Sequence, residues 1–137
     1  IEGVRVFTAD ELYHTRLGED LPIMQKGAAR TETRQAEHTD DAVRALEISL
    51  KTTLEDLCDA LFGEELEKRW VNAYFPFTHP SYELEVKYEG KWLEVLGSGI
   101  VEQELMAISG VGEKVGWAFG IGLERIAMVL YGIPDIR

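Results

Sequence analysis

Apolar and polar positions along this chain follow two rhythms, and the switches between them lay out the elements. From about Asp40 to Phe62, Val43, Leu46, Leu50, Leu54, Leu57 and Leu61 recur at offsets of three and four, as on one face of a helix. Thr39 or Asp40 caps its start and Gly63 ends it. At ~1.5 Å per residue it spans roughly 33 Å, enough to back a sheet. After it the period becomes two. Leu66 to Tyr74 reads as a strand, and Phe75-Pro76-Phe77-Thr78-His79-Pro80-Ser81 as a strand end or bulged corner, because two prolines interrupt it. Leu84, Val86 and Tyr88 alternate with Glu83, Glu85 and Lys87, Glu89-Gly90 turns, and Lys91 to Leu96 returns, which makes a hairpin. Val101 to Ile108 reads as a short helix. Ahead of the long helix, Ile1 to Phe7 forms a strand and Thr8-Ala9-Asp10-Glu11 has the spacing of a capping box. Thr15 to Glu37 holds no steady period and reads as a long loop or insertion, with Thr31-Glu32-Thr33-Arg34 as its mobile part. The expected class is α+β with an antiparallel sheet.

The last rhythm is the most informative. In Gly116-Trp117-Ala118-Phe119-Gly120-Ile121, small residues alternate with large apolar ones, so one face of the strand must stay thin. Gly122 then leads into Leu123-Glu124-Arg125-Ile126-Ala127-Met128-Val129-Leu130-Tyr131, with Gly132 and Pro134 as stop signals. Ile126 to Tyr131 is apolar all round, so this helix is expected to be buried. Arg125 sits in its first turn and needs an anion, which the helix N-terminus beside it also favours. A carboxylate such as Glu124 and a phosphate both satisfy that need. Gly120-x-Gly122 is not a dinucleotide fingerprint, because Arg125 replaces the third small residue and no βαβ unit surrounds it.

Composition narrows the partners. One domain of 137 residues with 45% hydrophobic residues has room for one core. A net charge of -11 argues against an extended nucleic-acid surface on this chain, though not against a nucleotide pocket. Cys58 is the single cysteine and lies in a helical pattern, which makes it a packing residue. His14, His38 and His79 share no metal-ligand spacing and read as surface or hydrogen-bonded histidines. No run is long enough to cross a membrane. The chain opens on Ile1 without a start methionine or targeting segment, as a piece of something longer does. Phe75 and Phe77, held on a stiff segment, are either core or one wall of a pocket. Glu94, among Leu93, Val95 and Leu96, belongs on an exposed face or needs a partner.

Several stretches together resemble phenylalanyl-tRNA synthetase, most nearly its single-chain mitochondrial or organellar form. They are Tyr74 to Ser81, Trp92-Leu93-Glu94-Val95-Leu96-Gly97, Gly116 to Gly120, Gly122-Leu123-Glu124-Arg125 and Tyr131 to Arg137. The resemblance implies a class II synthetase fold, an antiparallel sheet flanked by helices, present here as the C-terminal part of the catalytic domain over residues 1–137. The first class II motif, most of the second and an anticodon-binding domain are absent. It implies ATP-dependent activation of L-phenylalanine and transfer to tRNA(Phe), with ATP as substrate, Mg²⁺ as cofactor and a monomer in the mitochondrial matrix or another organelle, the cytoplasm being the alternative. It places Arg125 on ATP phosphate as the catalytic cation. Glu2, Phe75, Phe77, Ala118 and Phe119 fall at amino-acid-binding positions. Glu94 falls at an ATP- or substrate-binding position or on the metal. The fragment alone is expected to be inactive, and the competing reading is a non-catalytic binding or interaction module.

Overall fold

The computed structural model describes residues 1–14 and 21–133. Its strands are β1 (Glu2–Phe7), β2 (Lys68–Phe75), β3 (Thr78–Tyr88), β4 (Lys91–Val101) and β5 (Val115–Ile121). They form one sheet in the order β1-β5-β4-β3-β2, with every neighbouring pair antiparallel. The expected class therefore holds. β4 runs on through Gly97-Ser98-Gly99, beyond the Lys91 to Leu96 return strand expected from the sequence.

The helices are α1 (Ala9–Tyr13), α2 (Asp40–Phe62), α3 (Gln103–Ile108) and α4 (Leu123–Tyr131). Thr8 and Glu11 close the expected capping box on α1, and Thr39 caps α2 by accepting from the Ala42 N–H. The buried seam of α2 is Ala42, Leu46, Leu50, Leu54 and Cys58, with Val43, Leu57 and Leu61 half-buried beside it. Spacing of four, not the mixed spacing of the stripe, decides which residues meet the sheet. Two indole N–H groups pin α2 down: Trp117 donates to Ser49 at 3.2 Å and Trp70 to Glu55 at 2.7 Å. α1 and α4 both pack against α2, on the sheet face that carries Leu84, Val86, Ile100, Val115 and Trp117.

Two expectations fail. α4 contains no buried residue, and Leu123 and Tyr131 are 64% and 76% exposed. Only Ile126 and Val129 pack on the core, where the helix meets α2 and β4. Its stop at Gly132 is seen, whereas Pro134 lies outside the described residues. The segment Thr31-Glu32-Thr33-Arg34 is not a loose stretch. Thr31 and Arg34 form an antiparallel bridge, Arg34 donates to Asp40 at 2.7 Å, and Gln35 and His38 next to it are fully buried. The part of the expected insertion before Leu21 lies outside the described residues.

Candidate active site

Strand alternation sends one set of side chains to the helices and the other set to the opposite face of the sheet. Glu2 pairs with Gly120, Val4 with Ala118, Gly97 with Gly120 and Gly99 with Ala118. These residues share the helix-free face. The small side chains of β4 and β5 make that face a shallow floor, and a ring can lie directly on it. A Cβ at Gly97 would meet Phe75 Cζ at 2.7 Å, so only glycine lets the Phe75 ring rest there.

The result is a cavity of about 610 Å³, a volume ordinary for small-molecule sites. Its lining is Glu2, Gly3, Val4, Phe75, Phe77, Thr78, Glu94, Gly97, Ser98, Ala118, Phe119 and Gly120. The sheet thus brings together Glu2, Phe75, Phe77, Glu94, Ala118 and Phe119, six residues that the sequence reading singled out. Phe119 contributes differently from Ala118. By alternation its ring belongs on the helix side, where it lies 6.3 Å from the Trp117 ring and would collide with a Cβ on Gly3. Phe77 is 66% exposed and Val4 65%, two apolar side chains left in water at the cavity wall. Val4 and Thr78 were missed in the sequence. Val4 was within reach, since it stands two residues from Glu2 on the same strand face.

Arg125 does not line the cavity. It lies in the first turn of α4, just past the end of β5, and makes no ion pair among the described residues. Its one side-chain hydrogen bond there donates from Nη1 to Met128 Sδ at 3.9 Å. Glu124 therefore does not serve as its counter-ion. Gly122 caps α4 without a side-chain bond; the Arg125 N–H donates to the Gly122 carbonyl at 3.2 Å, while the Leu123 and Glu124 N–H groups make no capping bond among the described residues. Glu94 connects the two places: it lines the cavity, and Arg125 acts on its charge. Glu94 is exposed as a residue, yet burial of its carboxyl and then the charge of Glu83 push its pKa above the ordinary value, while Arg125 pulls it back.

The histidine expectations hold in different ways. His79 Nε2 donates to the Thr31 carbonyl at 2.6 Å. His38 is buried, with Nε2 2.8 Å from Gln103 Oε1. Gln103 Nε2 donates to the carbonyls of Gly112 and Lys114, so Oε1 accepts and His38 Nε2 carries the proton. His38 Nδ1 has no partner among the described residues, and burial lowers the pKa of the ring. Among the described residues no group of three or more His, Cys, Asp or Glu side chains is placed to hold a metal. The Cys58 thiol is buried, which pushes its pKa up to about 11 and keeps it inert.

An antiparallel sheet packed by helices on one face, with a ligand-sized hollow on the other, is the frame of a class II synthetase core. Comparison with known proteins agrees: residues 40–137 match the family described as tRNA synthetases class II core domain (F), and the chain belongs to that family. It is 51% identical over 138 residues to the mitochondrial phenylalanine–tRNA ligase of Mus musculus, covering 100% of this chain and 30% of that protein. Over 88 residues it is 58% identical to the chloroplastic/mitochondrial phenylalanine–tRNA ligase of Arabidopsis thaliana, covering 64% and 20%. Over 90 residues it is 48% identical to a phenylalanine–tRNA ligase alpha subunit from Synechocystis, covering 64% and 27%. The chain spans about a third or less of the length of these relatives.

Proposed function

We propose that this chain carries the amino-acid site, and part of the ATP site, of an organellar phenylalanine–tRNA ligase. The observation that carries the reading is the cavity itself: two phenylalanine rings stand over a floor of glycine and alanine, with Glu2 and Glu94 on its rim. Rings in edge-to-face or offset contact contribute about 0.5–1.5 kcal/mol each beyond burial, which suits a benzyl side chain. Ala118 is the residue that limits its length. Glu2 meets the substrate ammonium, and the substrate carboxylate is left pointing toward Glu94 and α4.

The reaction that follows needs little proton transfer. A carboxylate oxygen of phenylalanine attacks the α-phosphorus of ATP in line, the bond to the bridging oxygen breaks, and pyrophosphate leaves. The protein's part is alignment and charge. The Arg125 guanidinium and the Leu123 and Glu124 N–H groups at the start of α4 favour a phosphate beside Glu94. No three-ligand cluster stands among the described residues, so Mg²⁺ would enter with ATP, and Glu94 on the cavity wall would be the carboxylate to hold it. When bound it neutralises phosphate charge. The acceptor is tRNA(Phe), and a net charge of -11 puts its main contacts on other parts of the protein.

The test is phenylalanine-dependent ATP–pyrophosphate exchange by the protein expressed from its complete reading frame. Exchange with phenylalanine, and far less with tyrosine or leucine, supports the reading. No exchange, with phenylalanine still bound, turns it into the ligand-binding module that is the alternative.

A further inference from the structure

We propose that Gln35 is a positioning residue for the aromatic wall of the cavity, acting from a segment that touches no part of the cavity itself. The inference rests on reading that cavity as the phenylalanine site. Phe77 stands largely in water, so its own packing does not hold it. Ladder pairing holds the corner only at Thr78, which pairs with Phe75 and Val101; beyond it the β3–β4 register breaks up to Ser81, and His79 has no strand partner among the described residues. Gln35 takes over there. Its Nε2 donates to the His79 carbonyl at 2.8 Å and to the Val101 carbonyl at 3.1 Å, and its Oε1 accepts from the Gln103 N–H at 2.8 Å. One fully buried amide thus ties the β2–β3 corner to the end of β4.

A second tether runs over the surface to the same place. The Glu102 N–H donates to the Phe77 carbonyl at 3.0 Å. The Glu102 carboxylate accepts both guanidinium N–H groups of Arg30, at 3.0 and 2.6 Å. A bidentate pair of this kind is directional as well as attractive. Arg30 and Gln35 lie on one loop, which therefore grips the corner from both sides. Losing Gln35 strands two carbonyls and an N–H in the interior and frees the corner to sample other positions. A corner that is correctly seated a tenth of the time weakens apparent binding about tenfold, without touching the bound contacts.

The experiment is exchange kinetics on the complete protein with each substrate varied in turn. Gln35→Met keeps the length of the side chain and removes its three bonds. It is expected to raise KM for phenylalanine about tenfold, with kcat and KM for ATP within about twofold. Arg30→Glu, a surface change that keeps the test available if Gln35→Met does not fold, is expected to raise KM for phenylalanine about threefold, and adding Glu102→Arg to restore it. A purely structural role would lower the melting temperature while leaving KM for phenylalanine unchanged, or would move both KM values together, and either result overturns the proposal. Wild-type protein that neither binds phenylalanine nor shows phenylalanine-dependent exchange overturns the reading of the cavity, and this inference falls with it.

Discussion

Two glycines on the same floor should respond to the same substitution in opposite ways. At Gly97 a new Cβ would stand 2.7 Å from Phe75 Cζ and 3.0 Å from Cε2. Both are inside van der Waals contact, so the Phe75 ring must leave its seat. At Gly120 a new Cβ would have Glu2 Cγ at 3.8 Å and the Ile1 carbonyl at 4.0 Å as its nearest neighbours. That is ordinary contact, and the methyl projects into the cavity. Gly97→Ala is therefore an overpacking change, costing about 1–3 kcal/mol of stability. At roughly 3–6 °C per kcal/mol for a chain of this size, the melting temperature should fall by several degrees. Gly120→Ala should melt at or slightly above wild type, since removing glycine from an unstrained position contributes about 0.4–1 kcal/mol through the unfolded chain. Its cost appears when ligand arrives. A methyl under the substrate imposes about 1–3 kcal/mol on the complex, or roughly 5- to 150-fold in Kd. Thermal denaturation and phenylalanine titration by tryptophan fluorescence read the two effects separately. Gly120→Ala melting as low as Gly97→Ala, or binding phenylalanine as wild type does, would refute the account of the floor.

Ala118→Gly should admit para-substituted phenylalanines, raising their exchange rate relative to phenylalanine, and equal ratios in the two proteins would show that Ala118 does not set the depth. The folded protein holds the Glu94 proton more tightly than the unfolded chain does, so this residue costs stability once the pH exceeds the unfolded carboxyl value. Glu94→Gln should therefore melt higher than wild type at neutral pH and converge with it in acid, and Arg125→Met should push the Glu94 titration, followed by NMR, further up. For His38 the sign is opposite: its pKa is lowered on folding, so stability falls as the pH drops below about 6.5, the ordinary histidine value. Melting curves of His38→Gln from neutral pH to about 5 should show a shallower slope than wild type, and parallel slopes would place the proton elsewhere.

Several features were legible because their causes are local. The bounds of α2 follow from a leucine period and from caps at Thr39 and Gly63, all within a few residues of the structure they control. The same is true of the β3–β4 turn at Glu89-Gly90 and of the capping box on α1. The thin face of β5 was readable too, since alternation of glycine and alanine with bulky residues is enough to announce it. Local pattern also explains why α4 departs from the expectation of burial. An all-apolar run says that a helix would gain from burial, and says nothing about whether a neighbour stands there to bury it.

By itself, then, the sequence determined the elements, their caps and the inventory of chemically able residues, because helix period, strand alternation and turn chemistry act over a handful of neighbours. Tertiary structure alone decided which of them meet. Docking β1 beside β5 puts Glu2 against Gly120. The break in β3–β4 pairing summons Gln35 from a stretch with no period at all. The turn from β5 into α4 sets Arg125 beyond the cavity, within reach of Glu94's charge. Each of these depends on strand order and register, which are settled by contacts between residues far apart in the chain, and no local window of sequence contains both partners.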